Sequence, residues 1–248
     1  MKRVKNNRPL ERLIKTAGYA ITAGFFTLLG ISAFLKFHFA LGGAYLVVTI
    51  AVYVIIAQLV FVFLPSDQLH KNFGMANVIT LNRTIFASLV AGFVVLDKLA
   101  PELAWVIVVM VGFNLLLDGV DGRLARHNGT ASPFGARFDM EVDAFLILVL
   151  CLLLVVQYKM GFWILAIGFM RYVFVGAGWI RAWLREPLPP STRRKTIGVV
   201  QVVTLLISLL PVLAKALQEL LLGVALVLLV YSFIIDVLFL RKRSAISQ

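Results

Sequence analysis

The chain has 248 residues, of which 61% are hydrophobic and 15% charged. Soluble domains carry about a quarter charged residues, so the composition excludes a water-soluble globular domain. The net charge of +12 would suit nucleic acid, but its placement along the chain assigns it to membrane orientation instead.

A spanning helix needs ~20 apolar residues to cross ~30 Å of hydrocarbon. Eight stretches qualify: 16–35, 39–64, 77–96, 101–117, 140–157, 160–182, 197–214 and 219–240. The expected fold is therefore all-α, a polytopic membrane helical bundle of about eight transmembrane helices. The basic start (Lys2, Arg3, Lys5, Arg8, Arg12, Lys15) lacks a small-residue cleavage site, which predicts an uncleaved first helix. Residues 1–64 read as a basic N-terminus plus an appended transmembrane hairpin. Ala20 and Gly24 there have a small-xxx-small spacing that can pack helices.

Pro65, Ser66, Asp67 and Gly74 break the apolar pattern and mark 65–76 as a cytoplasmic linker. Residues 77–240 follow as a catalytic core, and 241–248 as a basic tail. Within the core, the segment "LLLDGVDGRLARHNGTASPFGARFDMEVDAF" (115–145) holds five of the twelve acidic residues. Asp118 and Asp121 are three apart at the end of the fourth span. Asp139 and Asp143 are four apart at the start of the fifth. Each pair shares a helical face.

Gly122, Asn128, Gly129, Pro133 and Gly135 supply turn chemistry between the pairs, enough to bring four carboxylates together at the membrane surface. Such carboxylates repel unless a cation joins them, and hard oxygen ligands suit Mg²⁺ or Mn²⁺. Glu141 projects from another face. The competing reading is of ordinary surface acids at helix ends, with Asp139 favoured by a helix N-terminus. Four at these spacings, flanked by glycines and Arg126, argue against it. Asn128-Gly129-Thr130 matches a glycosylation sequon but reads as a turn, and the lone Cys151 permits no internal disulfide.

Further on, Arg171 lies about 11 residues, ~16 Å, inside the sixth span. An intramembrane arginine is a functional candidate, although pairing with a carboxylate of the cluster is an alternative. The loop 185–196, "REPLPPSTRRKT", is either a stiff linker or a substrate-facing segment. Of the Lys and Arg residues outside spans, 18 fall at the termini and alternate loops, and Lys36, Lys98, Lys159 and Lys215 fall in the others. The positive-inside rule then places both termini and the Asp-rich loop in the cytoplasm.

The pattern D-x2-D-G-x2-A-R-x8-G-x3-D-x3-D, carried by Asp118, Asp121, Gly122, Ala125, Arg126, Gly135, Asp139 and Asp143, resembles the signature of the CDP-alcohol phosphatidyltransferases. "ANVITLNR" upstream is similar to the family's P-N-x-x-T-x-x-R segment through Asn77, Thr80 and Arg83, with Ala76 in place of proline. The likeness covers about 75–240, a six-helix core, and leaves 1–64 as a two-helix extension.

The resemblance implies transfer of a phosphatidyl group from CDP-diacylglycerol to a small polar alcohol, with release of CMP. It implies two metal ions on Asp118, Asp121 and Asp139, with Asp143 as general base and a further metal contact. Gly122 and Gly135 would let the backbone approach the nucleotide, beside Ala125. Arg126 would contact phosphate, and Asn77 and Thr80 would help hold the nucleotide. For these last two, a helix cap and a packing hydroxyl are the alternative. A basic pocket of Arg171, Arg181, Arg193, Arg194 and Lys195 favours a phosphorylated acceptor, glycerol 3-phosphate or inositol phosphate, with serine or another unphosphorylated acceptor as the alternative. A homodimer is implied by the family alone, a bacterial plasma membrane by the compact architecture, and no nucleic acid is expected.

Three rivals compete. An intramembrane prenyltransferase would carry its two Asp motifs far apart in sequence, a cation transporter would place acids near the bilayer midplane, and an inactive scaffold would not need all four aspartates.

Overall fold

The computed structural model describes residues 8–64, 73–127 and 133–246; side chains are described over the same segments except at 8, 9, 118–127, 133 and 246. Eight α-helices run through the described residues, and no strand occurs among them: α1 (Arg8–His38), α2 (Gly43–Phe63), α3 (Met75–Gly92), α4 (Pro101–His127), α5 (Pro133–Gln157), α6 (Leu165–Ile180), α7 (Thr192–Ser208) and α8 (Lys215–Ile246). Short 3-10 turns follow α3, precede α6 and follow α6. The fold is an all-α polytopic membrane bundle.

Among the described residues, five segments are long and apolar enough to cross a bilayer: Leu10–His38, Gly43–Phe63, Met75–Val95, Phe162–Ile180 and Lys215–Ala245. A shorter apolar run covers Pro101–Leu117 of α4. The first half of α5 carries Arg137, Asp139, Glu141 and Asp143, and α7 opens on Arg193, Arg194 and Lys195.

Helices α4 and α5 reach further than the apolar pattern predicts. Helix α4 continues ten residues past 117, because Gly122 alone does not stop a run rich in Leu124, Ala125 and Arg126, all good helix formers. Helix α5 begins at Pro133, whose fixed φ suits a first helical position, rather than at 140. Asp139 thus sits in the second turn of its helix, beyond the reach of the N-terminal dipole. The expected turn at Asn128-Gly129-Thr130 lies outside the described residues, as does most of the 65–76 linker.

The chain forms two compact units. Residues 1–98 and 109–143 make the first, residues 99–108 and 144–248 the second. In the first, α1 and α2 pack on each other and both pack on α3. Burial marks α3 as the interior helix: 67% of its most apolar window is buried, against 22% for the other four candidate spans. Gly74 caps α3 with φ +79°, a left-handed conformation that only glycine adopts without strain.

The α1–α2 hairpin is fitted to this core by close approach. The Tyr53 hydroxyl occupies the space a Cβ at Gly24 would take and donates to the Ile21 carbonyl at 2.9 Å. A Cβ at Gly92 would strike the Thr49 hydroxyl and, at 2.8 Å, the Tyr45 ring. In the second unit α7 packs along α8. Gly168 of α6 lies so close to α5 that a Cβ there would come within 2.8 Å of the Leu148 Cα.

Candidate active site

Helix α3 carries a polar stripe at helical spacing: Asn77, Thr80, Arg83, Thr84 and Ser88, the last four fully buried. The hydroxyls are satisfied within the helix. Thr80 donates to Ala76 O at 3.1 Å, Thr84 to Thr80 O at 3.0 Å, and Ser88 to Thr84 O at 2.8 Å. The Asn77 amide donates to Phe73 O at 2.5 Å, tying the first turn of α3 to the residue before Gly74. The contacts of Asn77 and Thr80 are thus a cap-like bond and a back-bond along the helix.

Arg83 differs, because no helix carbonyl can neutralise a guanidinium. Its exposure is 1%, and a buried charge needs paired, hydrogen-bonded partners. The two ends of its fork donate to Asp139 and to Asp143 of α5. Its Nε–H donates to Asn114 Oδ1 of α4 at 3.0 Å, and Asn114 Nδ2 donates back to the Arg83 carbonyl at 3.1 Å. Just beyond, Phe86 and Phe113 meet edge-on with centroids 5.6 Å apart.

One guanidinium reaching both acids places Asp139 and Asp143 on a single face of α5. Their side chains keep 34% and 43% exposure, so each carboxylate is held by Arg83 while remaining partly exposed. Glu141 is exposed between them. Gly135 lies in the first turn of α5 rather than in a loop. The side chains of Asp118, Asp121, Gly122, Ala125 and Arg126 lie outside the described residues. The α4 backbone beneath them is continuous helix, which sets positions 118 and 121 within one turn of each other.

Asp139 and Asp143 are hard oxygen donors of the kind that suits Mg²⁺ or Mn²⁺; among the described residues no group of three or more such side chains comes together.

The basic residues of the second unit divide. Arg193 donates to Asp236 Oδ1 at 2.5 Å and to Ser232 O at 2.8 Å, and Arg194 reaches the same Asp236 oxygen at 3.2 Å. Asp236 is 7% exposed. Both arginines therefore fasten the start of α7 to α8. Arg171 is half-buried in α6, while Arg181 at the end of α6 and Lys195 in the first turn of α7 are exposed.

Sequence reasoning named Arg83 as part of the family-like segment but gave it no role in the site, and it missed Asn114. Arg83 had a signal, since a charge inside an apolar helix demands a partner as much as Arg171 does. Asn114 had only its polarity within an apolar run.

Neither a curated protein nor a solved structure gives a match to the chain. The family model of the CDP-alcohol phosphatidyltransferases matches residues 73–232, from the residue before Gly74 through α3, both aspartate-bearing helices and most of α8. The chain therefore belongs to the CDP-alcohol phosphatidyltransferase family, integral membrane enzymes that transfer a phosphatidyl group from a CDP-alcohol to an alcohol.

Proposed function

We propose that the chain transfers the phosphatidyl group of CDP-diacylglycerol to a phosphorylated small alcohol, glycerol 3-phosphate or inositol phosphate, and releases CMP. The observation that carries this reading is the pair Asp139 and Asp143, held side by side on α5 by a buried arginine and partly exposed.

In the reaction, the acceptor oxygen bonds to the phosphatidyl phosphorus as the bond from that phosphorus to the CMP oxygen breaks. The acceptor's hydroxyl proton goes to Asp143, the carboxylate we assign as general base. Asp118, Asp121 and Asp139, with Asp143 as a further contact, would hold two Mg²⁺ or Mn²⁺ ions, which when bound offset the pyrophosphate charge and stabilise departing CMP. Gly122 and Gly135 favour close passage of the nucleotide, and Arg126 supplies a guanidinium suited to phosphate. Asn77 at the start of α3 would be a further nucleotide contact, whereas the Thr80 hydroxyl is buried on Ala76 O.

A phosphorylated acceptor is supported by the basic character of the second unit. Because Arg193 and Arg194 hold Asp236, the reading rests chiefly on the exposed Arg181 and Lys195. The excess of Lys and Arg at both termini and around the aspartates supports a cytoplasmic active site; the compact architecture supports a bacterial inner membrane, and the family a homodimer.

The test is CMP release by the purified protein in detergent with CDP-diacylglycerol, Mg²⁺ or Mn²⁺, and glycerol 3-phosphate, inositol phosphate, inositol or serine. Release with a phosphorylated acceptor, lost in Asp143→Asn, is the expected result. Release with serine alone would overturn the acceptor assignment. Failure of folded protein to bind CDP-diacylglycerol would overturn the donor.

A further inference from the structure

We infer that Asn114 is a positioning residue for the aspartate cluster and acts through Arg83; this rests on the metal-dependent reading above. Asn114 lies in an otherwise apolar stretch of α4 and is 0% exposed. For packing alone, an apolar residue would serve this position better, since burying an amide is costly unless both its polar ends are bonded. Both of its bonded ends are on one residue. Oδ1 accepts the Arg83 Nε–H and Nδ2 donates to the Arg83 carbonyl.

The amide orientation is fixed by chemistry. Nε–H is only a donor and the carbonyl only an acceptor, so a flipped amide would oppose like to like at both contacts.

This clamp acts on geometry. A guanidinium is planar, with its N–H groups in a rigid fork. Directing Nε–H at Asn114, while the carbonyl of the same residue is held, fixes the plane in which Nη1 and Nη2 lie. Those two nitrogens set the separation and facing of Asp139 and Asp143. Asn114 thus determines where the two carboxylates are held, although it touches neither aspartate in these bonds.

The experiment is Mn²⁺ binding by the full chain in detergent, read from the electron paramagnetic resonance signal of free Mn²⁺, for the parent, Asn114→Leu, Arg83→Lys and the double variant. Loss of a residue that orients metal ligands typically weakens metal affinity about 10–100-fold. Asn114→Leu should raise the half-saturating Mn²⁺ concentration in that range. In the Arg83→Lys background, which already lacks the Nε–H and the fork, the same substitution should change it less than about twofold, the non-additivity of residues acting as a unit.

A melting temperature in metal-free buffer reads packing separately, and Asn114→Ser takes the place of Asn114→Leu if the latter does not fold. Affinity within about twofold of the parent, or an undiminished effect in the Arg83→Lys background, would reduce Asn114 to a packing residue and overturn the inference. A parent that binds no Mn²⁺ overturns the metal reading itself, and this inference with it. That outcome is distinguished from failure of Asn114 alone because the parent is measured first.

Discussion

The Tyr53 hydroxyl of α2 fills the space that a side chain at Gly24 of α1 would need, and donates to the carbonyl three residues before that glycine. Gly24→Leu should therefore push the helices apart, at a cost of about 1–3 kcal/mol for overpacking. Tyr53→Phe, which removes only the hydroxyl, should cost about 0.6 kcal/mol, the average for a hydrogen bond within a membrane. Thermal melts of the detergent-solubilised protein check both. Equal losses in the two variants would argue against steric exclusion as the role of Gly24.

Gly168 and Gly176 lie on the same helix and should respond in opposite ways. A Cβ at Gly168 meets the α5 backbone, whereas one at Gly176 meets nothing within 4 Å. Gly168→Ala is expected to destabilise by about 1–3 kcal/mol, and Gly176→Ala to be neutral or mildly stabilising as helix propensity rises. Melting temperatures of the two variants measured together decide this.

Asp236 holds two arginines at the start of α7. Asp236→Asn should destabilise the second unit by about 1.5–3 kcal/mol, the range for hydrogen bonds to charged groups. Arg193→Ala should cost a similar amount, and the double variant little more than either single one. Additive losses would mean that Arg193 spends its charge elsewhere. That result, together with a raised KM for a phosphorylated acceptor in Arg193→Ala, would return Arg193 to the acceptor pocket.

Chelation should abolish CMP release, and Mg²⁺ or Mn²⁺ should restore it. Asp143→Asn should lower the rate about 10²–10⁴-fold, the usual contribution of a general base. If that variant retained its turnover, the proton would have to leave by another route.

The helices and the family were legible in the sequence because they are written locally, as apolar runs and as a motif within 26 residues. The ends of α4 and α5 were not, since apolarity stops at the membrane surface while the helical backbone does not. The Arg83 contacts span 56 and 60 residues, and nothing local to α3 says which acids answer its charge. Gly24 was visible only as a small residue at a common spacing. What gives it meaning is a tyrosine 29 positions later on another helix.

The buried arginine also sets an order of events during synthesis. Arg83 enters the membrane 56 residues before Asp139 has been made. A lone arginine at the centre of a nascent helix costs about 2.5–3.5 kcal/mol at insertion. The hydroxyls of Thr80, Thr84 and Ser88 add little to that burden, each being satisfied on its own helix. By then α1 and α2, the helices that pack on α3, have already been translated, so the ribosome delivers the two walls before the charged helix they receive. The third wall, with its neutralising acids, arrives last.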